Sequence, residues 1–228
     1  MIYLAADTHG MHDLDKIRSF FDKVQQKTKV TKDDYLIILG DIGICFSSKV
    51  NKKTIRQSLQ TLPITILFIN GVYENAEMIK TYPSKLWNGG IVYDLGDDIL
   101  HLTRGQLFTI EGKTIFTFGG GNLIDQLYCV EGGSWCQQNT LKEEFEAGMK
   151  RLLEANFKVD YILTHTVPTQ LVYELNTPIL LGEEVLQDYL QEIADITSFK
   201  QWFFSHGQKD MNIHDIYIGL WDHIFTLE

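Results

Sequence analysis

The sequence predicts a mixed α/β (α+β) chain: two packed mixed β-sheets flanked by helices, a four-layer α-β-β-α sandwich. Three observations predict it. Continuous β-branched runs alternate with helical segments in the first half. Short strands joined by turn signals fill the middle, and the strand–helix alternation then resumes. Apolar runs separated by helices read as parallel strands covered on both faces, while consecutive hairpins need antiparallel pairing.

Along the chain, residues 2–6 form the first strand-like run. Leu14, Ile17, Phe21 and Val24 then follow the spacing of an amphipathic helix. Residues 35–39 are a second buried strand, the polar segment holding Ile55 and Leu59 a helix, and 64–69 a third strand. In the middle, 91–93, 99–103, 106–110 and 114–118 are short strands, with Glu111-Gly112 as a hairpin turn. Residues 140–155 read as a helix, with Thr140 and Glu143 as a capping box and Leu141, Phe145, Met149 and Leu152 on the buried face. A strand at 159–163, a helix at 183–194 and a strand at 201–204 come next. The tail, 211–220 and 222–227, reads as a terminal pair of strands.

Composition narrows the function classes. The chain has 228 residues, 44% of them apolar and 22% charged, within the range of a globular protein. No repeat, low-complexity tract or linker divides it, so 1–228 reads as a single domain. A net charge of −10 disfavours general nucleic-acid binding, which needs clustered Lys and Arg. Trp87, Trp135, Trp202 and Trp221 accordingly read as packing residues rather than base-stacking platforms. A small phosphorylated substrate stays compatible, because a bound metal can reverse the local field. No apolar run approaches the roughly 18 residues of a membrane span, and no secretory leader is visible. Cys45, Cys129 and Cys136 lack zinc spacing and read as free thiols in a reducing cytoplasm.

The chemical signal lies in the residues just past each buried strand. Asp7-Thr8-His9 succeeds the first, Gly40-Asp41 the second, and Asn70-Gly71-Val72-Tyr73-Glu74-Asn75 the third. Thr164-His165 and Ser205-His206-Gly207-Gln208 succeed two later strands. One Asp or His after a strand is ordinarily a turn residue. Recurrence at five equivalent strand ends points instead to a crevice where Asp7, His9, Asp41, His165 and His206 converge. Carboxylates mixed with imidazoles and no thiolate suit Mn, Fe or Zn. Residues i and i+2 share a side of a strand, so Asp7 and His9 can grip one ion, and Asp41 can bridge two ions about 3.5–4 Å apart. His12, His101, His214 and His223 lack this placement and read as surface or structural residues. The 119–122 loop either borders the crevice or is a plain turn, and Glu74 and Asn75 either hydrogen-bond within the site or cap at the surface.

These motifs resemble those of the calcineurin-like metallophosphoesterase family. The family pattern is Asp-x-His, Gly-Asp, Gly-Asn-His-Asp/Glu, a His after a buried strand, and Gly-His-x-His. The matching segments here are Asp7–His9, Gly40-Asp41, Gly71-Val72-Tyr73-Glu74, His165 and Ser205–Gln208, in the same order. The resemblance implies a two-sheet sandwich with a dinuclear metal site. By analogy, the first ion would be held by Asp7, His9, Asp41 and Gln208, and the second by Asp41, His165 and His206.

Three positions depart from the family. Gln208 replaces a histidine, and a neutral amide oxygen is a weaker ligand for borderline metals. Val72 replaces the ligating Asn and has no donor atom, and Asn70, two residues earlier, lies too far along the strand to stand in. Tyr73 replaces the histidine that assists the leaving group; it can donate a hydrogen bond but carries no positive charge.

Loss of even an indirect metal partner costs ~10–100-fold, and loss of a general acid ~10²–10⁴-fold. The expectation is therefore a metal-dependent hydrolase of a small phosphate ester with weakened or altered activity. It would carry one or two divalent transition ions, or less than a full complement. The alternative is a catalytically inactive relative acting as a binding or scaffold protein. A mononuclear enzyme using Asp7, His9, Asp41 and Gln208 is a third form of the expectation.

Overall fold

The structure, a computed structural model, describes residues 1–6, 8, 13–45, 52–121, 142–175, 183–205 and 209–227. The first half builds as its apolar periodicity requires. Strand β1 (Ile2–Ala5) leads to helix α1 (Leu14–Gln25), whose Leu14, Ile17 and Phe21 are buried. Strand β2 (Tyr35–Ile38), helix α2 (Lys52–Gln60) and strand β3 (Thr65–Phe68) come next. A four-residue helix, α3 (Ala76–Ile79), is capped by Asn75, whose side chain accepts from the Met78 N–H.

The middle holds strands β4 (Ser84–Trp87), β5 (Gly90–Gly96), β6 (Ile99–Leu102), β7 (Gln106–Ile110) and β8 (Lys113–Phe118). Glu111 and Gly112 turn β7 into β8 with φ of 50° and 73°, as the turn signal predicts. Helix α4 (Lys142–Glu154), strand β9 (Tyr161–Thr164), helix α5 (Thr169–Glu174), helix α6 (Glu184–Ile196) and strand β10 (Gln201–Phe204) complete the alternation. Thr140 and Leu141 lie outside the described residues, so the capping box does too.

The tail corrects the expectation of two terminal strands. It forms three: β11 (Met211–Ile213), β12 (Tyr217–Gly219) and β13 (Phe225–Leu227). His214 and Asp215 both take left-handed φ, 55° and 59°, and break the first run into a hairpin. The last strand then crosses to the other sheet and pairs with β1.

Among the described residues, one sheet has the order β13-β1-β2-β3-β6-β5-β4 and the other β11-β12-β10-β9-β8-β7. Strands β1, β2, β3 and β6 are parallel, as are β8, β9, β10 and β12. Strand side chains alternate between faces, and the core separates accordingly. Ile2, Leu4, Ile37, Leu39 and Leu67 meet Phe108, Ile115, Leu163 and Phe203 between the sheets. On the outer faces, Tyr3, Leu36 and Phe68 pack on α1 and α2, while Phe116, Ile162 and Trp202 pack on α4 and α6. This is the expected pair of mixed sheets flanked by helices. No helix among the described residues is long and apolar enough to cross a membrane.

Parallel register places the ends of β1, β2, β3, β9 and β10 along one edge. The residues after those strands are thereby gathered there.

Candidate metal centre

Of the sequence-predicted ligands, the structure describes Asp41 and His165 and brings them together. Both are buried, and His165 Nε2 lies 3.6 Å from Asp41 Oδ2. Asp7, His9, His206 and Gln208 lie outside the described residues. Residues beside them do reach the site. Thr8 is buried and its hydroxyl donates to the Asp41 carbonyl at 3.4 Å. Ser205, after β10, places Oγ 2.9 Å from His165 Nδ1 and donates to the Leu39 carbonyl. Among the described residues, no group of three His, Cys, Asp or Glu is placed to hold an ion.

Close approach explains the glycines beside these two residues. A Cβ on Gly40 would lie 2.5 Å from His165 Nδ1, and one on Gly71 would lie 2.5 Å from Asp41 Cγ. Asp41 itself takes left-handed φ of 52°, which a non-glycine residue adopts only under surrounding constraint.

Glu74 supplies that constraint. Its carboxylate accepts from the N–H groups of Asp41 at 3.0 Å, Ile42 at 2.8 Å and Gly71 at 2.6 Å. The two loops after β2 and β3 are thus stapled by one side chain. Burial, and then the Asp41 carboxylate, push the Glu74 pKa well up from its ordinary value, against the pull of the backbone donors. Surface capping is excluded for Glu74, which is fully buried, whereas Asn75 does cap a helix. The Tyr73 N–H donates to Asp41 Oδ1 at 2.7 Å, so the third motif orients the Asp41 carboxylate through its backbone.

The donor set fits a divalent cation. The Leu39 carbonyl can only accept, and His165 Nδ1 lies 2.7 Å from it, so Nδ1 carries the proton in the neutral ring. Nε2 then presents a lone pair toward a carboxylate oxygen across 3.6 Å. A cation between two such donors resolves their repulsion, and a histidine anchored through its other nitrogen to a carbonyl is the usual form of a metal ligand. The pair holds the orientation; Thr164 behind it is pinned by the Trp202 indole N–H, which donates to its hydroxyl at 2.8 Å.

The substituted positions border the same place. Val72 is buried, and both its Cγ2 and His165 Cδ2 lie 3.4 Å from the point a Cβ on Gly121 would occupy. The loop 119–121 therefore borders the site rather than making a plain turn. Glu183 Oε1 reaches within 2.9 Å of that same point, and Glu183 is buried. Sequence reasoning misses Glu183 altogether, because it lies where the sequence shows only an ordinary helix start. For Glu74, of the two alternatives the sequence left open, hydrogen bonding within the site is the one found, with backbone N–H groups as its partners.

Asn70 turns away from this centre. Its Oδ1 lies 2.8 Å from His101 Nε2, and the pair is buried. Burial, then the Arg104 charge, push the His101 pKa down to about 3. In the unfolded chain a histidine titrates near 6.5, so below that pH the unfolded state binds the extra proton and stability falls. From pH 6.5 down toward 3, this residue alone lowers stability by up to ~1.4 kcal/mol per pH unit. Denaturant titrations of wild type and His101→Gln should show that the variant lacks this part of the acid slope. Parallel slopes would show that His101 is protonated in the fold.

The comparisons bear on the family and the fold. A sequence profile described as calcineurin-like phosphoesterase matches residues 1–209. A search of curated proteins gave no match. Among solved structures, the chain is similar to a Staphylococcus aureus protein described as a putative 5′-nucleotidase, crystallised with α-ketoglutarate. The TM-score is 0.54 at 14% identity, covering 96% of this chain and 48% of the other. The chain thus spans about half the length of that structure, and the likeness is one of fold. With the profile covering most of its length, the chain belongs to the calcineurin-like phosphoesterase family.

Proposed function

We propose that the protein is a metal-dependent phosphoesterase acting on a small phosphate ester, with activity weakened by Val72, Tyr73 and Gln208. The observation that carries this reading is the buried Asp41–His165 pair, with His165 Nε2 3.6 Å from Asp41 Oδ2. Asp7, His9, Asp41, His165, His206 and Gln208 would hold one or two ions of Mn, Fe or Zn. When bound, such ions act as Lewis acids toward a phosphoryl group and lower the pKa of water. The chain's own residues fix the geometry. Glu74 holds the backbones at 41, 42 and 71, the Tyr73 N–H sets the Asp41 carboxylate, and Ser205 and Leu39 set the His165 ring. The Tyr73 hydroxyl would donate a hydrogen bond to the leaving oxygen.

The family membership supports this reading, and the nucleotide-hydrolase description of the structural neighbour fits a small phosphate ester. Cys45, a buried free thiol, is compatible with a cytoplasmic setting. The test is hydrolysis of p-nitrophenyl phosphate and bis-p-nitrophenyl phosphate with added Mn²⁺. Turnover above buffer, removed by EDTA and restored by Mn²⁺, is expected. No turnover across metals and ester types favours the second reading, an inactive binding or scaffold protein, which the simultaneous changes at 72, 73 and 208 motivate.

A further inference from the structure

Among the described residues, the buried carboxyl groups are those of Asp41, Glu74 and Glu183. Asp41 faces His165, and Glu74 is taken up by three backbone N–H groups. Glu183 comes from a distant part of the chain, at the start of α6. Its side chain is fixed from behind by Gln187, one helical turn on. Gln187 donates from Nε2 to Glu183 Oε2 at 3.3 Å, and its N–H donates to the Glu183 carbonyl at 2.9 Å. The other oxygen, Oε1, lies on the side of the metal centre.

Gly121 makes that approach possible. The point a Cβ on Gly121 would occupy is 2.9 Å from Glu183 Oε1 and 3.4 Å from both His165 Cδ2 and Val72 Cγ2. Cδ2 is the ring atom bonded to Nε2, so the carboxylate faces the Nε2 edge of the imidazole across the space of one missing carbon. The loop that leaves this space is held in place. Gly119 lies so close to the Asn70 backbone that a Cβ would meet its nitrogen at 2.5 Å, and the Gly120 N–H donates to the Asn70 carbonyl at 2.7 Å. Arg104, on the wall of a cavity it shares with His101, donates from Nε to the Gly119 carbonyl at 2.8 Å. The gap between Glu183 and His165 is thus built into the loop after β8.

Val72 stands at the same gap, buried and without a donor atom, where the family pattern has an asparagine. It supplies no ligand to an ion between Asp41 and His165, and solvent takes the place of that ligand. Water held by a cation donates strongly and needs an acceptor. A carboxylate is the strongest acceptor a side chain offers, and its charge acts with little screening in a buried site. Direct coordination by Glu183 is not required, in keeping with the absence, among the described residues, of three acidic or imidazole groups placed to hold one ion.

We propose that Glu183 is a positioning residue of the metal centre: through the gap at Gly121 its carboxylate holds the solvent on the Val72 side of the ion and so strengthens binding of a divalent cation. This rests on the metal-centre reading for the place of the ion.

Mn²⁺ binding to the full EDTA-treated chain, followed by loss of the free-ion electron paramagnetic resonance signal, tests the proposal without any substrate. Glu183→Gln keeps the shape and an oxygen for Gln187 but removes the charge. It should weaken Mn²⁺ binding ~10–100-fold while melting in EDTA no earlier than wild type. Gly121→Ala keeps the charge and displaces it. Gly121 lies outside the left-handed region, and the added Cβ meets the end of a flexible side chain, so the fold tolerates the change. Mn²⁺ binding should weaken in the same direction. A purely structural role for Glu183 gives the opposite pattern, an earlier melt in EDTA with unchanged Mn²⁺ affinity. If Glu183→Gln melts early, Gly121→Ala decides. Unchanged affinity in the folded variant overturns the proposal, and loss of binding by Asp41→Asn in the same titration shows that the metal reading still stands. Absence of Mn²⁺ binding by wild type overturns both.

Discussion

Combining Val72→Asn, Tyr73→His and Gln208→His is expected to raise bound Mn²⁺ toward two per chain and hydrolysis by several orders of magnitude. The size follows from the parts replaced. Each restored ligand is worth at least ~10–100-fold in affinity, and a restored general acid ~10²–10⁴-fold in rate. The gains need not multiply, because groups acting on one centre work as a unit. Position 72 also gives a readout independent of turnover. Val72 is buried beside the His165 ring, so an asparagine there costs about 1–3 kcal/mol when nothing pairs its amide. The triple variant should melt earlier than wild type in EDTA and recover in Mn²⁺; at a metal concentration of 100 Kd the recovery is about 2.7 kcal/mol. Elemental analysis, bis-p-nitrophenyl phosphate kinetics and melting curves check the three effects. Unchanged stoichiometry and rate would mean that positions 72, 73 and 208 do not correspond to the family's ligand and acid positions.

The parts of this fold that were legible are those where burial enforces a period. Leu14, Ile17 and Phe21 mark α1 because one helical face must leave water, and the run 64–69 marks β3 because both its faces are covered. Strand β4 was not legible in that way. Ser84, Lys85 and Leu86 are exposed at a sheet edge, so no apolar run marks them. The signal that was present is Asn88-Gly89, whose φ values of 48° and 96° make the turn into β5. Helices α3 and α5 span one to two turns and are too short for a hydrophobic period to emerge.

The site divides in the same manner. That Asp41 and His165 meet was legible because polar residues after parallel strands gather at one sheet edge, a rule of topology rather than of local sequence. For Glu74 the sequence left hydrogen bonding within the site as one of two alternatives but did not name its partners, because its three bonds go to backbone groups at 41, 42 and 71, and backbone donors leave no trace in side-chain identity. His101 was read as surface or structural, and its buried bond to Asn70 agrees with the structural alternative. Its place on a cavity wall arises only from the pairing of β6 beside β3, which no residue near position 101 announces.

Asp41→Asn should abolish metal binding while leaving the metal-free fold intact, and the contrast with Asp41→Ala shows why. Asp41 Oδ1 accepts the Tyr73 N–H, and its backbone sits at φ 52°. Asparagine keeps an acceptor oxygen there and tolerates left-handed φ better than other non-glycine residues. It also removes a negative charge from beside the buried Glu74 carboxyl. In EDTA its melting temperature should therefore equal or exceed that of wild type. Alanine removes the acceptor and leaves the Tyr73 N–H unpaired, at a cost of about 1–3 kcal/mol, so it should melt below wild type. Both changes remove the anionic oxygens opposite His165 Nε2, and Mn²⁺ affinity should fall by at least ~10²-fold with turnover at background. The deciding quantity is the Mn²⁺-dependent rise in melting temperature: present in wild type, absent in both variants. A rise retained by Asp41→Asn would show that the ion is held without this carboxylate, and the centre would then have to be sought away from the β2 strand end.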